Sequence, residues 1–250
     1  TTVVNAYIKP LMSNYLKKLD QKLLNSGFNC PLLLMTSGGT LTNISSACNN
    51  PVRLVESGPA GGAILATSIA EDMNLSKVIS FDMGGTTAKI TIIENKKAIK
   101  AREFEVDRKA RFKKGSGYPL RIPVIEMVEI GAGGGSIARV NKLEQIITGP
   151  DSAGSFPGPA CYSNGGSMPT ITDADLVIGK INPDNFAGGK IKLSKQLADI
   201  AITENIVKFV NIDTNIAALA ISEIVDETMS NAARVHTVEQ GHETSNRTLI

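Results

Sequence analysis

The sequence predicts an α/β fold in which a mixed β-sheet is covered by helices, and three observations carry that prediction. Short runs rich in Val, Ile and Leu end in glycine turns at Ser37-Gly38-Gly39-Thr40, at Gly84-Gly85 and at Gly131-Ala132-Gly133-Gly134-Gly135. Stretches with apolar residues at helical spacing stand between and after them. The chain of 250 residues is long enough to bury a substantial core, as one large domain or two small ones. Charged residues make up 20% and the formal net charge is +2, so nothing recommends nucleic acid or an anionic membrane as a partner. Three cysteines, Cys30, Cys48 and Cys161, with no CxxC spacing, argue against a disulfide framework and for a reducing, cytoplasmic setting. No apolar run reaches the roughly 18 residues of a membrane helix.

In chain order, residues 2–25 carry Val4, Tyr7, Ile8, Leu11, Leu16, Leu19, Leu23 and Leu24 at spacings of mostly three and four, with lysines and Asp20 between them. This is an amphipathic helix, kinked or split at Pro10 and stopped by Gly27. Residues 31–36, PLLLMT, read as a buried strand, and the glycine turn after them suits either a ligand-facing loop or a plain turn. Residues 43–50 are small and polar and end at Pro51. A helix is expected to start at 57–62, SGPAGG, with Ser57 or Gly58 as cap and Pro59 at the first helical position, and to run to about Met73. Its free N–H groups favour an anion, while Gly61 and Gly62 equally allow close packing on the sheet.

Residues 77–93, KVISFDMGGTTAKITII, are the centre of the chain. Val78, Ile79 and Phe81 form one strand and Ile90, Ile92 and Ile93 another, joined by a turn in which Gly84 and Gly85 let backbone N–H groups approach an anion closely. Thr86 and Thr87 add hydroxyl donors for phosphoryl oxygens. Asp82 stands where a carboxylate holds Mg²⁺ through water or orients an attacking water. An ordinary glycine hairpin with Asp as turn former remains the structural alternative.

After a charged turn at 94–97, residues 98–114 carry Lys100, Arg102, Arg108, Lys109, Arg111, Lys113 and Lys114, interleaved with Glu103, Glu105 and Asp107. With Phe104, Val106 and Phe112 alternating, they read as solvated faces of edge strands, a substrate or partner surface being the second reading. Gly115-Ser116-Gly117-Tyr118-Pro119 reads as an exposed loop that also suits a lid. Residues 120–130 form one strand or two broken at Pro123, delivering Glu126 and Glu129 ahead of the 131–135 glycine loop. Their spacing of three lets them share a site only if the strand ends between them. A further strand is expected at 137–140, and 149–159 reads as an ordered loop of Gly, Pro, Ser and Ala. Cys161 has no nearby His and reads as a small buried thiol rather than a nucleophile. Thr172 or Asp173 caps the helix holding Leu176, Val177 and Ile178; a metal or substrate contact is the other role for Asp173. Two more helices follow a turn at 182–189, at 193–210 and 213–238, the second rich in alanine, with Arg234 and His242 read as surface or helix-end groups.

FDMGGTTAK at 81–89 resembles a phosphate motif of the hydantoinase A/5-oxoprolinase family. ESGPAGGAILA (56–66), EIGAGGGSIARV (129–140), GPDSAGSFPGPACY (149–162) and PTITDADLVIGKI (169–181) fall in the order that family shows, and together they cover most of residues 1–240. One departure is visible: many relatives read GGTSTD where this chain has Thr86-Thr87-Ala88-Lys89, placing a cation where they carry a carboxylate. The resemblance implies an actin-like (ribonuclease H-like) lobe that binds ATP with Mg²⁺. Asp82 would be the catalytic and Mg²⁺-associated carboxylate, and Gly84, Gly85, Thr86 and Thr87 would hold the phosphates with Gly133, Gly134, Gly135 and Ser136 nearby. Relatives often carry Asp and His near Glu126 and Glu129, which with Asp173 are candidate substrate or second-metal contacts.

The same resemblance implies that residues 1–250 form a hydantoinase A/oxoprolinase domain incomplete at both ends. Residues 1–30 would lead in from a missing N-terminal lobe and 31–250 would form a nucleotide-binding lobe, inactive alone. The implied activity is ATP-dependent hydrolysis of a cyclic amide such as a hydantoin or 5-oxoproline through a phosphorylated intermediate, with a hydantoinase B-like subunit or domain as partner. Two alternatives stand: a subunit of an acetone carboxylase type of enzyme, and a nucleotide-binding module without turnover of its own.

Overall fold

The computed structural model describes residues 1–106 and 115–250. The basic residues Arg108, Lys109, Arg111, Lys113 and Lys114, with Asp107 and Phe112, lie outside the described residues. In chain order the elements begin with α1 (Thr2–Asn25), β1 (Leu33–Met35), β2 (Leu41–Asn43), α2 (Ile44–Asn49) and α3 (Ser57–Asp72). Next come β3 (Lys77–Met83), β4 (Ala88–Glu94), β5 (Lys97–Ala98), β6 (Lys100–Ala101), β7 (Phe104–Val106), β8 (Tyr118–Leu120), β9 (Val124–Ile125) and β10 (Val128–Ile130). The chain continues through β11 (Ser136–Val140), β12 (Ile146–Ser152), α4 (Ile171–Val177), α5 (Lys195–Ile202), α6 (Lys208–Val210), α7 (Thr214–Glu239) and β13 (Thr248–Leu249). This is the mixed α/β content the sequence predicts.

Two compact units divide the chain: Thr1–Ser80, Thr91–Met127 and Asn246–Ile250 form the first, and Phe81–Ile90 with Val128–Ser245 form the second. The neighbouring strands β3 and β4 thus begin and end in the first unit and hold their connecting turn in the second.

In the first unit, β13 runs parallel to β3, Thr248 opposite Val78, and β5 antiparallel to β4, Ile93 opposite Ala98. Ala60, Ala63, Ala66 and Ala70 form one face of α3 and bury against Val78, Ile93, Ala98 and Ile125. The spacing of three and four keeps them on that face, and their small side chains let the helix lie close to the strands. A second cluster joins Val52, Leu120, Ile122 and Val124 to Val4 and Ile8 of α1.

Helix α1 is one continuous helix with Pro10 inside it rather than two pieces, and of its apolar stripe Tyr7, Leu11 and Leu24 are exposed while Leu16 is buried. It ends as expected at Gly27, which takes φ +90: Phe28 N–H donates to Leu23 O and Gly27 N–H to Leu24 O, the pairing of a Schellman stop. The expected buried strand at 31–36 is instead the three-residue β1, with Leu33 exposed, paired antiparallel to β2. Its glycine turn closes a hairpin through Thr36 N–H to Thr40 O. The polar stretch at 43–50 is helix α2, because the Asn43 side chain accepts from Ser46 N–H and caps it. Helix α3 starts at Ser57 itself, so Pro59 sits at the third helical position, and its cap is Glu56 in left-handed conformation. Tyr118 and Pro119, expected in a loop, belong to β8, paired with β7. Residues 120–130 contain parts of three strands rather than one or two.

The second unit buries helices against one another and against β11. Ala138, Cys161, Ala174, Ala198, Ala217, Ala218, Ile202, Ile206 and Ile221 form its core. Strand β11 pairs antiparallel with β12, so residues 149–152, expected in a loop, continue a strand. Helix α4 is capped by Thr170 rather than by Thr172 or Asp173, and the 193–210 helix starts at Lys195 and passes through a π-helical turn at Thr203–Val207. Between α4 and α7, Lys180 Nζ donates to Ser222 Oγ at 2.7 Å, and Ser222 Oγ donates to Asp175 at 2.9 Å. Burial pushes the Asp175 carboxyl up, an effect that the Ser222 hydroxyl and the Lys180 charge oppose. Among the described residues no helix is long and apolar enough to cross a membrane.

Candidate functional site

The turn between β3 and β4 is closed by Gly84 N–H donating to Thr87 O at 2.9 Å. Asp82, Gly84, Gly85 and Thr86 are exposed and Thr87 is half-buried. Among the described residues Asp82 has no hydrogen-bond or ion-pair partner, and the N–H groups of Gly85, Thr86 and Thr87 have no acceptor. Neither Gly84 nor Gly85 takes positive φ, and the N–H groups and the Asp82 carboxylate lie along one short turn, where an anion and its counter-cation would find donors and a charge close in sequence.

The 131–135 glycine loop braces this turn. Gly133 faces its backbone so closely that a Cβ there would lie 2.6 Å from Thr86 N. Gly134 N–H donates to Gly84 O at 3.1 Å and Gly135 N–H to Gly85 O at 2.7 Å. The loop is tied in turn: Thr172 donates to Gly134 O through both its N–H and Oγ1, each at 2.8 Å, and Ala153 N–H donates to Gly135 O. Ser136 Oγ accepts from Gly133 N–H at 2.9 Å, deep in the fold. The structure therefore brings Gly133, Gly134, Gly135 and Ser136 beside the turn residues: the Gly134 and Gly135 N–H groups hold the turn, while the Gly133 and Ser136 N–H groups donate within the loop, to Ser136 Oγ and Gly133 O.

Asp173 is fully buried at the start of α4. Its carboxylate accepts from Ala160 N–H, Cys161 N–H, Thr170 N–H and Thr170 Oγ1, at 3.2, 2.7, 2.8 and 2.8 Å. Thr170 Oγ1 also lies 3.3 Å from Asp173 N–H, completing a capping box. The neighbouring Cys161 is also fully buried, and burial, reinforced by the Asp173 charge, pushes its thiol up beyond the usual range, fitting the inert thiol the sequence suggests.

Glu126 and Glu129 fall in the gap after β9 and within β10, in the first and second unit respectively. Glu126 is half-buried and its N–H donates to Ile99 O. Glu129 stands directly opposite Lys89 in the β10–β4 register, and Lys89 Nζ reaches Glu129 Oε1 at 3.2 Å and Thr87 Oγ1 at 2.9 Å. Lys89, the cation that departs from the family pattern, thus stands beside Thr87, a placement its sequence position alone does not state. The i, i+2 spacing of Thr87 and Lys89 in an extended strand was the available signal. Among the described residues no group of three or more His, Cys, Asp or Glu is arranged to hold a metal ion.

Together the strands, glycine turn and bracing loop define an α/β protein with two meeting glycine segments in one unit. The chain belongs to the hydantoinase/oxoprolinase family, whose profile matches residues 1–250. It is 44% identical over 246 residues to an uncharacterized protein of Methanocaldococcus jannaschii, covering 97% of this chain and 36% of that one. The crystal structure of an ATP-dependent caprolactamase from Pseudomonas jessenii is similar with a TM-score of 0.75 and 32% identity, covering 100% of this chain and 35% of the other. A nucleotide-free structure of acetone carboxylase is similar with a TM-score of 0.81 and 26% identity, covering 94% of this chain and 32% of the other. The chain thus spans about a third of the length of these three relatives.

Proposed function

We propose that the chain is the phosphate-binding part of an ATP-dependent enzyme that opens a cyclic amide. The observation that carries this reading is the turn at 84–87, largely exposed, in which among the described residues three N–H groups have no acceptor and the neighbouring Asp82 has no partner. Its polarity suits a polyphosphate chain: N–H groups and the Thr86 and Thr87 hydroxyls meet non-bridging oxygens, while Asp82 faces the accompanying cation or an attacking water. With one free carboxylate there, Mg²⁺ would arrive with the phosphates and take most of its ligands from them and from water. The lobe would be actin-like, with the remaining part of a longer chain closing over the nucleotide.

ATP supplies what a lactam lacks: phosphorylation of its oxygen turns a resonance-stabilised amide into one that water can open with loss of phosphate. Positioning and charge neutralisation by the turn would account for most of the catalysis. The likeness to the ATP-dependent caprolactamase supports this reading, and a hydantoinase B-like partner subunit fits it. A second reading, a subunit of a carboxylase, is favoured by the TM-score of 0.81 to acetone carboxylase.

Incubating the full-length protein and its partner with MgATP, a lactam and labelled bicarbonate separates the two. Lactam-dependent phosphate release with unlabelled, ring-opened product is expected. Label incorporated into product would replace the hydrolase reading by the carboxylase one, and failure to bind MgATP at all would remove both.

A further inference from the structure

The Lys89 ammonium touches Thr87 Oγ1, at the end of the 84–87 turn, at 2.9 Å and Glu129 Oε1 at 3.2 Å. Its side chain is only 15% exposed, whereas that of Glu129 is 49% exposed. Antiparallel register fixes the arrangement. Thr87 and Lys89 are two residues apart, and Glu129 faces Lys89 across the β4–β10 pair. An ammonium is a donor with no lone pair to accept with, so Thr87 Oγ1 accepts a hydrogen bond from Lys89 Nζ and its own O–H is directed away from the ammonium. Among the described residues no acceptor meets that hydroxyl. It is left beside the free N–H groups of Gly85, Thr86 and Thr87.

We propose that Lys89, held by Glu129, is a positioning residue that fixes the Thr87 hydroxyl as a donor and polarises it toward a phosphoryl oxygen in the turn. Glu129 is thereby assigned to orienting Lys89 rather than to touching substrate or metal. The inference rests on the reading of the turn as a phosphate site. Donation from a cation into a hydroxyl strengthens the hydroxyl's own donation, so the arrangement favours an anionic ligand over a neutral one.

The test is calorimetric titration of the full-length protein with MgATP, alongside melting temperatures for each variant. Lys89→Met should weaken binding about tenfold, and Thr87→Val by a similar factor. The double variant should be no weaker than the worse single one, because both changes remove one shared donor. Lys89→Arg, which keeps a charged donor, should stay within about threefold of the parent. Should Lys89→Met fail to fold, Lys89→Gln carries the same comparison with a polar, neutral side chain. Unchanged binding in the folded neutral variant, or losses that multiply in the double variant, overturns the role of Lys89 and leaves the phosphate site standing. A parent protein that binds no MgATP fails the phosphate reading itself, and this inference with it.

Discussion

Gly133 lies against Thr86 with no room for a side chain: a Cβ would stand 2.6 Å from Thr86 N and 2.7 Å from the carbonyl carbon of Gly85. Both neighbours are backbone, so neither can swing aside as a long side chain would. Gly133→Ala should therefore shift the turn or the loop, costing about 1–3 kcal/mol of stability. Because the displaced atoms carry the free N–H groups, MgATP affinity should fall as well. Thermal melts of the parent and variant with and without MgATP check both. A variant that melts lower yet keeps its full ATP-dependent shift would separate the brace from the ligand site.

Asp82 is exposed and without a partner among the described residues, so Asp82→Asn removes no native interaction. Its stability should stay within about 0.5 kcal/mol of the parent, as for other surface changes. If the carboxylate orients the attacking water or the counter-cation, ATP hydrolysis by the full-length protein should nonetheless drop by about a hundredfold. Unchanged hydrolysis in Asp82→Asn would show that the turn is not a catalytic phosphate site.

The strands around the turn were legible because a period of two, β-branched residues and a glycine pair all point the same way at 77–93, and helix α7 was legible from its long apolar periodicity. Errors came where a local signal was overruled. β12 runs on through Gly149 and Pro150 by pairing with β11, although its composition reads as a loop; Pro10 lies inside one continuous α1, leaving only the kinked of the two expected forms; and at 44–49, where the sequence offers no prediction, Asn43 caps a helix. At the site, the tips could be read but not what braces them. Gly134 N–H to Gly84 O and Thr172 to Gly134 O join residues 50 and 38 positions apart, which no local period encodes. The Lys89–Glu129 pair likewise depends on a strand register 40 residues away.

Asp173 sits among four donors in a fully buried position. Asp173→Ala leaves the Ala160, Cys161 and Thr170 N–H groups without an acceptor, and each buried orphan carries a desolvation cost. A loss of about 3–5 kcal/mol is expected in denaturant melts, with MgATP affinity unchanged below the melting range. Affinity that collapses while the fold persists would instead make Asp173 a ligand contact.

Cys161 and Cys30 should differ sharply toward an alkylating reagent. Cys30 is exposed, while Cys161 is fully buried with its thiol pushed up, first by desolvation and then by the Asp173 charge. The thiolate is the reactive form, so at pH 8 to 9 native protein should take label at Cys30 and stay unlabelled at Cys161 until denaturant is added. The same shift sets a pH dependence. Below the unfolded thiol value of about 8.5 both states are protonated and the contribution is fully present; as pH rises further, the unfolded chain ionises first and stability falls. Denaturant melts from pH 7 to 10 should show that decline, and Cys161→Ala should flatten it whatever its effect at pH 7. Labelling of Cys161 in the native protein as fast as Cys30 would mean the thiol is neither enclosed nor silent.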